Sequence, residues 1–482
     1  MFLSEKGDLN YQALFHFLRR QKIGIYFQDR KMRDMRILKD IGSNIVEELD
    51  KNKYHRFIES EIIEKWPNVP LSKFYEDKKY MNDAFVSKLQ RYDVQKFRDS
   101  EHLIHLFFEN FVIRISKDKV ETINWSNFDT KGTKIWKSNI SDKPLDLKLA
   151  KDYRKGDWFK FAKNTITDKG VEKLMQSQGY LVHTYKKSSK AKMVIYADAN
   201  DDDDNYSAEG GTGKSLHSYE AIKRLRKTSF IEGTKFEDPK KNKFVWQTVD
   251  PFADIVCLDD VEATFKYRWL YNAITNYFSI ERKQRDPVQL PFKQSPKFVV
   301  TTNHGIMDSG GSDIRRRVVL GFQDYYSKDY TPEDDFGREF FDDWDVKQWS
   351  YFFGYFIDAC QLYLQNGVES FNNEGIDKKA VRTYIGEDLF DWIQDNITNL
   401  RNMRKANDLL DEIPVHLRGK TTKDTKRWLV KGLSAHGYKL VSKNTRLNSI
   451  PGRYVWAVPK NSELQEPTGQ DDGLLEDDTL PF

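Results

Sequence analysis

The chain has 482 residues and a formal net charge of +4, and Asp, Glu, Lys and Arg make up 32% of it. This length gives room for about three domains, and no apolar run approaches the ~18 residues that a membrane-spanning helix needs. No signal-peptide pattern opens the sequence. The two cysteines, Cys257 and Cys360, are too few for a disulfide framework or a cysteine-based zinc cluster, which predicts a protein of the reducing cytoplasm.

The net charge conceals an asymmetry along the chain. Residues 461–482 contain seven acidic residues and no basic ones, so the net charge of the other 460 residues is +11. We expect the tail to be disordered, because it has too few apolar residues to form a core. A basic body with an acidic tail points to nucleic acid, although charge runs are also common on solvated faces.

Residues 1–100 predict amphipathic helices. The apolar face of the first helix would carry Tyr11, Leu14, Phe15 and Leu18. From Phe107 the period changes, and apolar and polar residues alternate on both sides of residues 117–119, which predicts a β-hairpin. We therefore expect a helical region over residues 1–100 and an α+β accessory domain over residues 101–185.

Residues 186–370 predict a parallel α/β domain, because apolar strands alternate with helices. The predicted strands are "KMVIYADA", "KFVWQTVD", "ADIVCLDD", "KFVVTTN" and "RRVVLGF". The predicted helices run to about Lys227, from Lys266 to Phe278, and from Val346 to about Gln365, where an aromatic-rich helix closes the domain.

The segment "EGGTGKS" lies between a predicted strand and a predicted helix, where a phosphate-binding loop forms. The expected nucleotide-binding residues are Glu209, Gly210, Gly211, Thr212, Gly213, Lys214 and Ser215. Lys214 would reach the β- and γ-phosphates of ATP, and the Ser215 hydroxyl would ligate Mg²⁺. Ala208 replaces the usual first glycine, and the acidic run at 201–204 is either a metal-binding segment or a solvated insertion.

Two further strands end in polar side chains that suit nucleotide hydrolysis. "ADIVCLDD" ends in Asp259, which we expect in the Mg²⁺ shell, and Asp260, which we expect to orient the attacking water. "KFVVTTN" ends in Asn303, whose amide is placed to hold the same water. Acidic residues and asparagine at strand ends also act as simple turn formers, which is the alternative interpretation.

The segment "SDIRRRVVLGF" places Arg316 and Arg317 at the start of a strand. An arginine at that position can reach the γ-phosphate bound by a neighbouring subunit and stabilise transition-state charge. Because side chains alternate along a strand, we expect only one of the two at such an interface. A solvated basic edge is the alternative.

The segment "SIERKQRDPVQLPF" predicts a β-hairpin with its turn at Asp286-Pro287 and cations near its tip. These cations are Arg282, Lys283 and Arg285.

Residues 386–460 predict helices followed by a hairpin, a pattern typical of a winged helix. Between positions 415 and 460 the sequence has eleven Lys and Arg residues and one acidic residue, Asp424. We expect this unit to bind duplex DNA through phosphates, with Lys443, Arg446 and Arg453 in its wing.

In order and spacing, these motifs resemble the superfamily 3 helicases, AAA+ ring motors of small viruses, phages and plasmids. The hairpin and asparagine strand look like those of the papillomavirus initiator helicase, and "LDDVEATF" and "EFFDDWD" resemble the phage and poxvirus primase–helicase type. The resemblance covers about residues 190–350 well and the flanking regions loosely. Gln284 stands where the papillomavirus pattern has histidine.

The resemblance implies an ATP- and Mg²⁺-dependent DNA helicase that works as a ring, expected to be a hexamer, in replication of a phage, prophage or plasmid. Single-stranded DNA would pass through the pore, where Lys283, with Arg282 and Arg285 nearby, would grip its backbone without sequence preference. A solvated hairpin tip is the alternative. A primase site is not expected, because residues before Phe107 offer little room and no paired-carboxylate strand.

Two other functions remain open from the sequence. The first is a DNA-binding initiator or regulator in which ATP switches assembly without strand separation. The second is an AAA+ remodeller of proteins, which a cationic hairpin fits poorly. The terminal "EDDTLPF" resembles the acidic tip of bacterial single-stranded-DNA-binding proteins, which implies a replication-protein partner for the tail.

Overall fold

The structure is a computed structural model. It describes residues 3, 8–27, 35–65, 72–76, 78–93, 95–199, 211–283, 285–306, 315–371, 374–447 and 449–461. Several predictions fall outside this part of the chain: those for Ala208, Glu209 and Gly210, for the acidic run, for Gln284, and for residues 462–482 of the tail.

The first unit of the fold mixes helices and strands. Its elements are α1 (Tyr11–Arg20), β1 (Ile23–Phe27), β2 (Met35–Gly42), β3 (Ile45–Leu49), α2 (Lys51–Lys65), α3 (Ser72–Glu76), α4 (Asp83–Val86) and β4 (Gln90–Arg91). β2 pairs antiparallel with both β1 and β3. The prediction of a helical region over residues 1–100 is therefore wrong. The amphipathic first helix does follow its predicted pattern and buries Leu14 and Leu18.

The second unit contains the predicted hairpin. Its elements are β5 (Ile104–Phe108), β6 (Val112–Ile115), β7 (Val120–Ile123), β8 (Ile135–Trp136), β9 (Ile140–Ser141), α5 (Leu147–Ala150), α6 (Asp157–Ile166) and α7 (Val171–Val182). β6 and β7 are antiparallel, with Ile115 opposite Val120, which confirms the hairpin. β8 joins the sheet of the first unit, in the order β4-β1-β2-β3-β8. The other strands form a separate sheet, in the order β7-β6-β5-β9.

A five-stranded parallel sheet forms the centre of the molecule. The elements of this region are β10 (Met193–Asp198), β11 (Thr228–Glu232), β12 (Ile255–Asp259), α8 (Tyr271–Thr275), β13 (Phe278–Arg282), β14 (Arg285–Leu290), β15 (Lys297–Thr302) and β16 (Arg317–Phe322). The sheet has the order β11-β12-β15-β10-β16, and all its neighbouring pairs are parallel. Every residue of β10, β15 and β16 is buried, as expected for strands covered on both faces. The predicted parallel α/β core is confirmed.

The strand predicted at "KFVWQTVD" does not exist. This segment is a series of turns, and the strand beside β12 is β11 instead. The segment is apolar because Trp246 fills the core, where its ring packs against Phe236, Phe278 and Phe298. Burial of one large aromatic side chain thus produced a strand-like pattern.

Two predicted helices are irregular. The helix predicted from Lys266 to Phe278 is a 3₁₀ turn, Tyr267–Leu270, followed by the short α8. The helix after the phosphate-binding loop includes a π-helical turn, Leu216–Glu220, and a 3₁₀ turn, Ile222–Arg224. Such π-helical turns are frequent at functional sites.

The cationic hairpin exists, but its turn is not where the sequence predicted it. Arg282 lies opposite Arg285, so the tip is at residues 283–284 and not at Asp286-Pro287. The register shifts just before Arg282. A bulge accommodates Pro287, because proline has no N–H group to donate to a regular ladder.

The last part of the chain is mainly helical. Its elements are α9 (Pro332–Phe336), α10 (Val346–Asn366), α11 (Glu374–Ile385), α12 (Glu387–Leu400), β17 (Arg404–Lys405), α13 (Ala406–Glu412), α14 (Thr422–Ala435), β18 (Tyr438–Leu447) and β19 (Ile450–Pro459). The aromatic-rich α10 was predicted, and it packs beside α7 with Phe352 against Trp158. After α14, β18 and β19 form the predicted hairpin, and the small sheet has the order β17-β19-β18.

No helix within the described ranges is long and apolar enough to cross a membrane.

A buried carboxylate ties the N-terminal units to the parallel sheet. Asp254, just before β12, accepts hydrogen bonds from Lys96 Nζ at 2.8 Å, Arg98 Nη1 at 2.8 Å and Asn139 Nδ2 at 3.0 Å. Burial by itself raises the pKa of this carboxyl group, but Lys96 and Arg98 together lower the pKa below its ordinary value. The ion cluster therefore stays charged and fixes the N-terminal units at the amino edge of the sheet.

Candidate nucleotide site and cationic hairpin

Three strand ends bring the predicted nucleotide-binding residues together. β10 leads to the phosphate-binding loop, β12 ends in the two acids, and β15 is followed by Asn303. Because β15 lies between β10 and β12 and all three run parallel, their carboxyl ends meet at one edge of the sheet. Ligands of open α/β sheets bind outside this edge, where the strand order reverses.

The phosphate-binding loop holds its lysine through a residue that the sequence did not single out. Lys214 and Asp198 are both 6% exposed, and the Lys214 ammonium is paired with the Asp198 carboxylate. Lys214 Nζ also lies 2.7 Å from Thr212 Oγ1, and that hydroxyl donates to Asp198 at 3.0 Å. Asp198 is the last residue of β10, and an acidic residue at the end of an apolar strand was the available signal.

The serine of the loop and the first acid of β12 meet as predicted. Ser215 Oγ donates to the two carboxylate oxygens of Asp259 at 2.8 and 3.1 Å. A hydroxyl next to a carboxylate is an oxygen donor set that suits Mg²⁺ together with phosphates and water. No cluster of three or more His, Cys, Asp or Glu side chains able to hold a metal occurs in the part of the chain that the structure describes. A cation at this site would therefore depend on the nucleotide for most of its ligands.

Thr301, the second residue that sequence reasoning missed, positions both acids. Its hydroxyl donates to Asp259 Oδ1 at 2.8 Å and accepts from the Asp260 backbone N–H at 2.7 Å. Asn303 Nδ2 donates to Asp260 Oδ1 at 3.0 Å. Asn303 thus contacts Asp260 directly, as its predicted role at the same water requires.

Asp260 has the properties of a residue that handles a proton. Its φ of 57° lies in the left-handed region, which is strained for a residue other than glycine and is common at functional sites. Burial raises the pKa of its carboxyl group, and the nearby Asp259 raises it further. A raised pKa makes a carboxylate a stronger base, which is the direction that a residue accepting a proton from water requires.

The arginines before β16 lie at the opposite edge of the sheet. They stand at the amino end of this strand, and its six residues separate them from the carboxyl edge by roughly 20 Å. Arg317 is 8% exposed, and burial lowers the pKa of its guanidinium. Arg316 is half-buried and lies over the ring of Tyr271 at 5.2 Å. The alternation expected for this pair is present, and the buried Arg317 does not fit the predicted role at an interface.

The hairpin has an apolar root and a cationic tip. Phe278, Ile280, Val288 and Leu290 are each at most 1% exposed. Arg282 is half-buried, Lys283 is exposed, and the side chain of Arg285 lies outside the described part of the structure. Lys283 Nζ lies 6.0 Å from the ring centre of Phe244. Below the tip is a cleft of about 390 Å³, to which Arg36 and Asp250 contribute.

The predicted wing residues do not share one face. Arg453 of β19 lies opposite Asn444 of β18, so their side chains point to the same side of the sheet. Arg446 lies two residues after Asn444 on β18 and therefore points to that side as well. Lys443 lies opposite Tyr454 and points to the other side. The structure therefore brings two of the three predicted cations together, and both of these are exposed.

No protein-family model and no curated protein matches the chain. Its fold aligns over 92% of its length with 98% of the C-terminal region of NrS-1 in an apo form, at 14% identity and a TM-score of 0.39. It also aligns with SCCmec type IV Cch, described as an active helicase, at 10% identity and a TM-score of 0.31, over 91% of this chain and 92% of that one. A full-length MCM homolog from Methanopyrus kandleri aligns at 10% identity and a TM-score of 0.26, over 88% and 89%. Because these TM-scores are below 0.5, function has to rest on the geometry of the chain itself.

We expect Gly213→Ala to destabilise the protein more than Gly337→Ala. Both glycines have positive φ, 86° and 65°, which costs an alanine about 1–2 kcal/mol. A Cβ on Gly213 would also lie 2.6 Å from Phe161 Cζ, whereas a Cβ on Gly337 would meet nothing within 4 Å. Overpacking adds about 1–3 kcal/mol. The urea midpoints of the two variants measure the difference, and equal midpoints would contradict the described loop conformation.

Proposed function

We propose that the chain is an ATP- and Mg²⁺-dependent DNA helicase of the AAA+ superfamily 3 type that works as a ring. One observation carries this proposal: β15 joins the nucleotide site to the cationic hairpin. Asn303 follows its carboxyl end beside Asp260, and Phe298 near its amino end packs against Phe278 at the hairpin root. The two contacts are about 16 Å apart along one buried strand.

The residues at the carboxyl edge supply what phosphoryl transfer to water requires. Lys214 exchanges its pairing with Asp198 for the phosphates of ATP and stabilises the charge that develops on them. Ser215 and Asp259 would hold Mg²⁺, which neutralises phosphate charge when it is bound. Asp260 orients the attacking water and takes up its proton, and Asn303 fixes the Asp260 carboxylate through its amide.

The hairpin is the element that converts this chemistry into movement of DNA. Its root is part of the same apolar core as β15, so a shift of β15 after loss of the γ-phosphate is transmitted to the tip. Lys283 at the tip binds backbone phosphates, which suits a motor that translocates on any sequence. Arg282 and Arg285 are the neighbouring cations of the tip.

The position of Arg316 supports the proposal of a ring. The arginine stands about 20 Å along β16 from the nucleotide edge of its own sheet, so its role in hydrolysis requires the site of a neighbouring subunit. We propose a hexamer in which Arg316 completes the adjacent site. Arg317 is assigned to packing within its own subunit, because it is buried.

The C-terminal unit is assigned to duplex DNA. The order of α12, β17, α13 and α14 followed by the β18–β19 hairpin supports a winged-helix domain. Arg446 and Arg453 contact phosphates from one face of the hairpin. The acidic tail is proposed to recruit a replication protein, and the chain is proposed to act in a bacterial cytoplasm on a phage, prophage or plasmid origin.

We expect Lys283→Ala to keep ATP hydrolysis and to lose strand displacement on forked DNA, because the nucleotide site is intact while the grip on the strand is gone. Lys155→Ala is the matched control: Lys155 is also exposed, but it pairs with Asp152 in the turn before α6, and this variant should unwind like wild type. Lys214→Ala should lose both activities.

Unwinding by Lys283→Ala at the wild-type rate would remove Lys283 from its role. A wild-type protein that binds DNA and ATP but displaces no strand would favour the ATP-switched initiator instead.

We expect Arg316→Ala to reduce DNA-stimulated ATP hydrolysis by ~10³-fold or more, the effect typical of an arginine acting in trans. Mixing Arg316→Ala with the inactive Lys214→Ala should restore part of the activity, because one variant supplies an intact phosphate-binding loop and the other the arginine. The control is that wild-type subunits exchange between rings under the same conditions. If they do and the mixture of the two variants stays inactive, the trans arrangement is contradicted.

A further inference from the structure

A cavity of about 400 Å³ lies where the N-terminal units meet the amino edge of the parallel sheet. We name it the junction cavity. Its walls include Tyr26, Lys96 and Arg98 on one side and Phe252 and Lys293, which precede β12 and β15, on the other. The nucleotide site lies at the opposite edge of the same sheet, so the junction cavity is a separate place in the fold.

The wall between these two sides carries a buried cation that lacks an acidic partner. Lys186 lines the cavity and is 7% exposed. Its Nζ donates to Ser295 Oγ at 2.6 Å and to the Pro296 carbonyl at 3.0 Å. Within the described ranges no carboxylate forms an ion pair with it, and its charged neighbours include the cations Arg98 and Lys297. Burial, and then the charge of Arg98, lowers the pKa of Lys186 to about 7.

The other basic side chains of the cavity also outnumber the carboxylates that pair with them. Lys96 and Arg98 share the single carboxylate of Asp254. Arg98 Nε is buried and has no hydrogen-bond acceptor in the described part of the chain. Lys293 adds a further positive charge at the exposed rim.

The second acid near the cavity is already saturated with donors. Asp99 accepts hydrogen bonds from the Thr184 hydroxyl at 2.8 Å and from the backbone and ring of His105 at 3.0 and 2.9 Å. Behind the wall, Lys297 is fully buried with its ammonium on the carbonyls of Tyr180 and His183. The cavity therefore has more basic groups than acids to pair with them: near neutral pH Lys186 either loses its proton or keeps it beside a bound anion.

We propose that the junction cavity binds the phosphate group of a nucleotide, held by Lys96, Arg98 and Lys186. Phosphate oxygens would accept charge-assisted hydrogen bonds from Arg98 Nε and from the N–H group of Lys186 that Ser295 and Pro296 do not use. The volume is in the range of small-molecule sites, and the rings of Tyr26 and Phe252 offer apolar faces to a base or sugar.

Two sources can supply this phosphate, a free nucleotide or a DNA strand. Pro251 lines both the junction cavity and the cleft below the tip of the hairpin, so a strand held by Lys283 has a path to the cavity. Phosphate binding in the junction cavity is independent of ATP hydrolysis and of helicase activity, because the cavity lies at the other edge of the sheet.

The test uses the full-length Lys214→Ala protein as parent, so that the phosphate-binding loop contributes as little as possible. Into this parent Lys186→Met and, as matched control, Lys187→Met are introduced. Lys187 is the next residue, but it is half-exposed and pairs with Glu101 at 3.1 Å. The probes are inorganic pyrophosphate and a short single-stranded oligonucleotide, each measured by calorimetric titration.

We expect Lys186→Met to weaken binding of at least one probe by ~10-fold or more, the usual effect of losing a hydrogen bond from a charged group. Lys187→Met should bind like the parent. Weaker binding of pyrophosphate identifies a free nucleotide as the source, and weaker binding of the oligonucleotide alone identifies the strand.

Methionine in place of a buried lysine keeps the length of the side chain and removes an unpaired charge, so Lys186→Met should fold. Lys293→Ala at the exposed rim is a second variant that reports on the same site without changing the core, and we expect a smaller loss in the same direction. Unchanged affinity of both variants for both probes would overturn the proposal.

Discussion

The position of β15, hydrogen-bonded between β10 and β12 and buried along its whole length, is the constraint on which the functional geometry depends. It aligns three carboxyl ends, so that Lys214, Asp259 and Asn303 converge although 89 residues separate the first from the last. Its Thr301 hydroxyl orients both acids of β12. Because interiors are close-packed and transmit strain, a strand of this kind suits the proposed transmission of a displacement from one edge of the sheet to the other.

The two edges of the sheet have opposite electrostatic character. At the carboxyl edge, the acids outnumber the cations: Lys214 is matched by Asp198, and Asp259 and Asp260 remain. At the amino edge, the buried cations outnumber Asp99 and Asp254. The first arrangement suits a cation and the phosphates it accompanies, and the second suits a phosphate alone. This polarity separates a place for hydrolysis from the places assigned to DNA.

The sequence predicted the central sheet and the residue pairs of the nucleotide site. Buried parallel strands are continuous apolar runs, and the spacing of Ser215 and Asp259 reflects a loop that packs against the end of β12. A different pattern predicts the hairpin: Ile280 and Val288 alternate with polar residues along its two strands. In these places local pattern and tertiary structure agree.

The parts that failed depend on contacts that a linear pattern does not carry. The first sheet was missed because Lys39, Asp40, Glu47 and Glu48 interrupt the alternation of β2 and β3. Trp246 gave a false strand because its ring fills a core made by distant segments. The predicted hairpin turn is three residues too late because Asp-Pro is a strong turn signal, whereas in the structure a bulge accommodates it. The role of Thr301 depends on its contacts with the neighbouring β12, which a linear pattern does not show, whereas Asp198 had a sequence signal at the end of an apolar strand.

The central claim is that the nucleotide bound at the carboxyl edge sets the position of the hairpin tip. Both native cysteines are buried, so spin labels on Gln289→Cys, at an exposed position of the hairpin, and on Asp118→Cys, at the exposed turn between β6 and β7, can be attached selectively. Pulsed electron–electron double resonance then measures the distance between the two labels with DNA present. Labelled protein is diluted with unlabelled protein so that the measured distance lies within one subunit. The account predicts different distances with a non-hydrolysable ATP analogue and with ADP. The same distance distribution in both nucleotide states would contradict it.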